Sequence, residues 1–82
     1  MEDKQKELLN ELAKVVEEAG SQVALADILG VSTGWVNSIV KGNALPSVLN
    51  SVAMARYMKV EDDHYANLVT ATRVAQISKR GS

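Results

Sequence analysis

Residues 22–42 read QVALADILGVSTGWVNSIVKG, two short apolar-rich runs parted by Gly30-Val31-Ser32. Ser21 stands where an N-cap hydroxyl accepts a free backbone N–H, and the apolar positions after it carry a helix to Leu29. Gly30 supplies the left-handed residue that closes this helix, and Ser32 caps a further one that Gly42 closes. Two helices crossing steeply through so short a turn need a small side chain where they touch, and Ala26 provides it. Leu25, Leu29, Val31, Val36 and Ile39 form the apolar wedge expected to fix the crossing angle. At roughly 100° per residue, Val36, Ile39 and Val40 point to one side, and Gly34, Asn37, Ser38 and Lys41 to the other. That second face is polar and unneeded for packing. Two bland alternatives stay open: a helical hairpin that shares the pattern, and a face that is merely solvated.

Outward from this pair, Leu8, Leu9, Leu12, Val15, Val16 and Ala19 recur at helical spacing and predict a first helix from about Asp3 to Ala19, ended by Gly20. Beyond the loop KGNALP, Val48, Leu49, Val52, Ala55 and Met58 give the stripe of a fourth helix that starts after Pro46-Ser47 and ends near Lys59. Glu61, Asp62 and Asp63 then favour a helix N-terminus, and Tyr65, Leu68, Val69, Thr72 and Ala75 share one face of a fifth helix reaching about Ile77. Strand signals are nearly missing, since phenylalanine is absent and no Asn-Gly turn occurs. The expected fold is all-α: five short helices, with a helix-turn-helix formed by the second and third. Residues 1–78 are expected to form one domain and 79–82 a tail, for whose closing Gly81-Ser82 a native and an appended origin both stay open.

Eighty-two residues with 46% hydrophobic content hold one core. Without cysteine there is neither a disulfide nor a thiolate metal site, so stability must come from packing or association. No long apolar run or leader is present, and a cytoplasmic protein without a membrane span is expected. The net charge of −1 is unevenly spread. Residues 1–20 carry six acids against three lysines, whereas residues 21–60 carry Asp27 against Lys41, Arg56 and Lys59. His64 is the only histidine, and consecutive acids on a helix do not converge on one ion, so no metal site and no cofactor are expected. There is no nucleophile motif or Gly-rich phosphate loop, so no enzyme is expected either.

Over residues 22–42 the chain resembles the helix-turn-helix of the phage Cro and repressor family, through Gln22, Leu25, Ala26, Leu29, Gly30, Val31, Ser32, Val36, Asn37, Ile39 and Gly42. The resemblance implies that the third helix enters the major groove of double-stranded DNA, with Thr33, Gly34, Asn37 and Ser38 facing the bases. It also implies phosphate contacts at Gln22 and Ser32 on one side and at Lys41 and Asn43 past the helix end. The segment LPSVLNSVAMARYMKVEDDHYANL, with ISKR beyond it, is more thinly similar to the lysogeny-promoting transcriptional activators of lambdoid phages. Those build dimers and tetramers with their last helix, which implies oligomerisation through Tyr65, Leu68, Val69 and Thr72, and RNA polymerase as a further partner. At the recognition helix the activators are more basic, so repression and activation both stay open.

The implied function is a phage or prophage transcription regulator in the bacterial cytoplasm that binds operator DNA as a dimer or higher oligomer. The weak basic balance is a poor footprint for that role, and no arginine is available to grip guanine. Gly34 and Trp35 are expected to compensate: the glycine by letting the helix backbone come close, the ring by apolar contact with a thymine methyl or sugar edge. The rival reading is a protein-interaction module of toxin-neutralising or polymerase-binding type, with Trp35 as interface anchor.

Overall fold

Three serines start three of the helices. In the computed structural model, which describes the backbone of residues 3–81 and the side chains of residues 4–77, the hydroxyls of Ser21, Ser32 and Ser47 accept the backbone N–H of Ala24, Trp35 and Asn50 at 3.0, 3.1 and 3.2 Å. Each satisfies a donor that the first helical turn leaves free. The elements are α1 (Asp3–Ala19), α2 (Gln22–Leu29), α3 (Thr33–Val40), α4 (Val48–Met58) and α5 (His64–Gly81). No strand occurs among the described residues. The expected boundaries hold closely for α1 to α4, while α5 runs past Ile77 to Gly81 and so crosses the boundary placed after residue 78. Its first turn begins at His64, so Glu61, Asp62 and Asp63 precede the helix instead of lying within it. The readings made on the side chains of Lys79, Arg80, Gly81 and Ser82 lie outside the described residues.

Gly30 ends α2 at φ +70°, where its own N–H bonds the Asp27 carbonyl and the Val31 N–H bonds the Ala26 carbonyl at 2.9 Å. This paired closure uses carbonyls that the last helical turn would leave bare. The chain then bends by 113° into α3, an angle typical of helix-turn-helix pairs. Gly42 closes α3 similarly at φ +82° and has a second constraint: a side chain there would meet Gln5 Nε2 at 3.0 Å and Leu9 at 3.5 Å. The close approach of α1 therefore fixes where α3 ends.

One core joins all five helices: Leu8, Leu12 and Val15 from α1, Leu25 and Ala26 from α2, Val36 and Ile39 from α3, Met54 and Ala55 from α4, and Tyr65 and Val69 from α5. The layout decides what remains open. α3 packs on α1 and α2 only, whereas α5 packs on α1 and α4, so the two lie on different sides of the domain. No single helix among the described residues is long and apolar enough to cross a membrane.

Two stripes differ from expectation. Tyr65, Val69 and Thr72, expected to meet a second copy, are 2%, 7% and 0% exposed and belong to the protomer's own interior, with Leu68 half-buried beside them. Their four- and three-residue spacing defines a face without saying what covers it. Here α1 and α4 cover it, and the Thr72 hydroxyl donates to the Leu68 carbonyl at 2.8 Å within its own helix. On α4 the buried side is Ser51, Met54 and Ala55, while Val48 and Leu49, expected in the stripe, stand 73% and 79% exposed.

Candidate nucleic-acid interface

Because α3 touches only α1 and α2, the side away from Val36 and Ile39 is uncovered. Thr33 and Gly34 are exposed in its first turn, and Trp35, Asn37 and Ser38 are half-buried. A Cβ added at Gly34 would find only the Ser32 hydroxyl, at 4.0 Å, so no neighbour demands a glycine there. Its φ is not positive, so backbone geometry does not demand one either. Trp35 is partly buried against the core cluster and stays partly accessible.

Gln22 opens α2, and its Oε1 accepts a hydrogen bond from Asn37 Nδ2 at 3.2 Å. Two residues given separate roles by their positions in the sequence are thus one unit. Fifteen residues apart, they meet only because of the bend between α2 and α3, and no periodicity in either helix announces the contact. Ser32 uses one of its two acceptor lone pairs on the Trp35 N–H, and its hydroxyl proton is still able to donate outward. Lys41 and Asn43 are both exposed at the opposite end of α3, and the Asn43 N–H bonds the Ser38 carbonyl at 2.9 Å. The site residues therefore divide into a group at the start of α3, joined by Gln22, and a pair at its end.

The charge on this face is sparse. Lys41 makes no ion pair among the described residues, so its ammonium is available. Arg56, which added to the basic balance of the middle of the chain, is committed elsewhere. Its Nε and Nη2 donate to Asp62 at 3.3 and 3.1 Å, and this pairing holds the guanidinium even more firmly protonated. On α2, Asp27 is exposed between the exposed Val23 and Ile28. Among the described residues, α3 itself presents neutral polar side chains, with the free Lys41 cation at its end.

A second cluster binds α1 to α5. Glu11 bonds Lys14 Nζ through one oxygen at 2.8 Å and His64 Nε2 through the other at 3.0 Å, and His64 sets its ring edge-on to Tyr65 with centroids 4.8 Å apart. The hydrogen bonds from Lys14 and then from His64 lower the Glu11 carboxyl below its ordinary range. Burial, with Glu11 nearby, pushes the Tyr65 hydroxyl up. His64 follows three acids in the chain, yet its hydrogen-bond partner lies on α1, 53 residues away. No group of three or more His, Cys, Asp or Glu among the described residues is placed to hold a metal ion.

The chain matches no protein-family model, no curated protein and no solved structure. The functional reading of α3 rests on its own side chains and their arrangement.

Proposed function

We propose that the protein is a sequence-specific DNA-binding transcription regulator of phage or prophage type, acting without catalysis or cofactor in the bacterial cytoplasm. The observation that carries this reading is α3 itself: a short helix held at 113° to α2, free of α4 and α5, with an open polar side that packing does not use. Thr33, Asn37 and Ser38 supply hydrogen-bonding groups for base edges, and Gly34 lets the backbone approach them. Gln22, Ser32, Lys41 and Asn43 flank that face as phosphate contacts.

So few charges give each subunit little from counterion release, and a second subunit supplies the remaining affinity. The surface we assign to self-association is not the buried face of α5. It is the apolar strip formed by Val48 and Leu49 on α4 with Val74 and Ile77 on α5, all more than half exposed. Val48, Val74 and Ile77 line a groove of about 550 Å³ in which Arg73 is the only charged residue among the described residues. Among the described residues, α5 adds none to the core cluster beyond Thr72, and helices that lack a packed face are marginal in water.

Exposed Val23 and Ile28 beside Asp27 favour a second reading, an α2 surface that a protein partner covers. Selection of duplexes from a random-sequence pool tests between them. Enrichment of one motif supports the regulator, and a pool that stays random while a protein partner binds with little salt dependence supports the interaction module.

A further inference from the structure

We infer that the groove between α4 and α5 is a binding site for a small aliphatic carboxylate, whose chain lies along the apolar walls and whose charged end meets Arg73. Its volume of about 550 Å³ is that of a small-molecule site, for which roughly 300–1,000 Å³ is usual. Pro46, Val48, Val69, Val74 and Ile77 wall it without an aromatic ring, which suits an alkyl chain better than a stacked ring. Arg73 has no acid beside it in the lining and makes no ion pair among the described residues. One guanidinium, with its parallel N–H donors, balances one carboxylate. A phosphate dianion would be left half-compensated.

A second, independent observation lies in the same lining. Ser51 is 0% exposed, and its hydroxyl is the one buried side-chain polar atom among the described residues without a hydrogen-bond partner. Thr72, equally buried, has its hydroxyl bonded to the Leu68 carbonyl, so the orphan belongs to the groove and not to buried hydroxyls of this core in general. An unpaired buried donor is costly, and folding alone would be better served by alanine at residue 51. A carboxylate oxygen in the groove supplies the missing acceptor. Ser47 and Val48 bring the N-terminus of α4 to the same lining. The Ser47 hydroxyl accepts the Asn50 N–H and its carbonyl the Ser51 N–H, which leaves Val48 and Leu49 with the free donors of the first turn. The start of this eleven-residue helix therefore favours an anion as well.

Val48, Val74 and Ile77 also belong to the strip assigned above to self-association, so the acid and a second copy contend for them. That consequence rests on the self-association reading; the site itself does not. The test is titration of the full-length chain with sodium octanoate, followed by amide and methyl NMR shifts. Sodium acetate and octanol serve as probes that lack the chain and the charge. Octanoate shifts should saturate and cluster around Ser51, Val69, Arg73 and Val74, with acetate and octanol bound about tenfold or more weakly. Arg73→Gln should lose octanoate affinity by a similar factor and leave octanol unchanged. Ser51→Ala should melt at a higher temperature yet bind octanoate more weakly, whereas a hydroxyl without a ligand gives the first effect alone. Equal octanoate affinity in Arg73→Gln overturns the inference, as do shifts spread equally over the exposed Val23 and Ile28 of α2. Groove shifts that follow protein dilution and not octanoate make a second copy the occupant, which overturns the site and supports the strip. In sedimentation, octanoate should convert an associated parent to monomer. Association unchanged with octanoate bound overturns the contention, and a parent that is monomeric throughout but binds octanoate upholds the site and removes the strip as an interface.

Discussion

Gly34 is the residue whose presence is hardest to explain by folding. Its Cβ position is open, its φ is not positive, and glycine within a helix costs about 0.5–1 kcal/mol relative to alanine. Gly34→Ala should therefore raise the melting temperature, by roughly 4–8 °C per kcal/mol in a domain of this size, and weaken binding to a selected duplex. Stabilisation with unchanged affinity would remove the close approach from the account. Trp35, half-buried next to it, should change its emission when that duplex is added. Lys41, exposed and unpaired among the described residues, is proposed as a charge contact. Lys41→Ala should weaken binding to every sequence by a similar factor and reduce the salt slope by about one unit per bound subunit. Loss on one sequence alone would make Lys41 a base reader. Residues such as Ser21, Gly30, Ser32 and Gly42 were legible in the sequence because caps and turns are set by local chemistry. The bond between Gln22 and Asn37 was not, since it depends on the angle between two helices.

At the scale of the helix, periodicity identifies a face and leaves its partner open. The stripe of Tyr65, Val69 and Thr72 was read correctly as one face of α5 and assigned to the wrong neighbour, because α1 and α4 had no sequence mark saying that they would cover it. The distinction is measurable. Val69→Asp buries an unpaired charge and should unfold a domain whose total stability is about 5–15 kcal/mol. Val74→Asp with Ile77→Asp, both at exposed positions, should leave a folded chain that sediments as a monomer under conditions where the parent associates. A parent that is monomeric at micromolar concentration would contradict self-association through this strip. The link between α1 and α5 has a pH dependence of defined sign. Glu11 has its carboxyl lowered by hydrogen bonds to Lys14 and His64, so its contribution to stability is present above the ordinary carboxylate value and is lost as pH falls through the lowered folded value. Acid denaturation followed by circular dichroism should show a shallower loss in Glu11→Gln, and identical profiles would indicate that the cluster does not contribute.

Taken as a whole, the molecule separates two surfaces. α3 lies on one side, and the apolar strip of α4 and α5 belongs to helices that α3 does not touch, so DNA and a second copy need not compete. Charge is what limits this small domain. Its net charge is −1, and among the described residues Arg56 is bound to Asp62 and Lys14 to Glu11, which leaves fewer free cations for phosphates. On the proposed reading, hydrogen bonding by neutral groups and addition of a second subunit take the place of the arginines that a stronger binder would carry. The all-α fold and the order of its helices were readable because capping residues and apolar spacing agree along the chain. The pairing of Arg56 and the link from His64 to Glu11 were not, because both join residues that adjacency and helical spacing do not connect. The most direct measurement is the anisotropy of a labelled duplex, enriched by the protein from a random pool, titrated with full-length chain between 50 and 200 mM salt. With Lys41 neutralising one phosphate in each of two bound subunits, log K should fall linearly with log salt at a slope of about −2; a flat line, or no enriched duplex to label, would contradict DNA binding through α3.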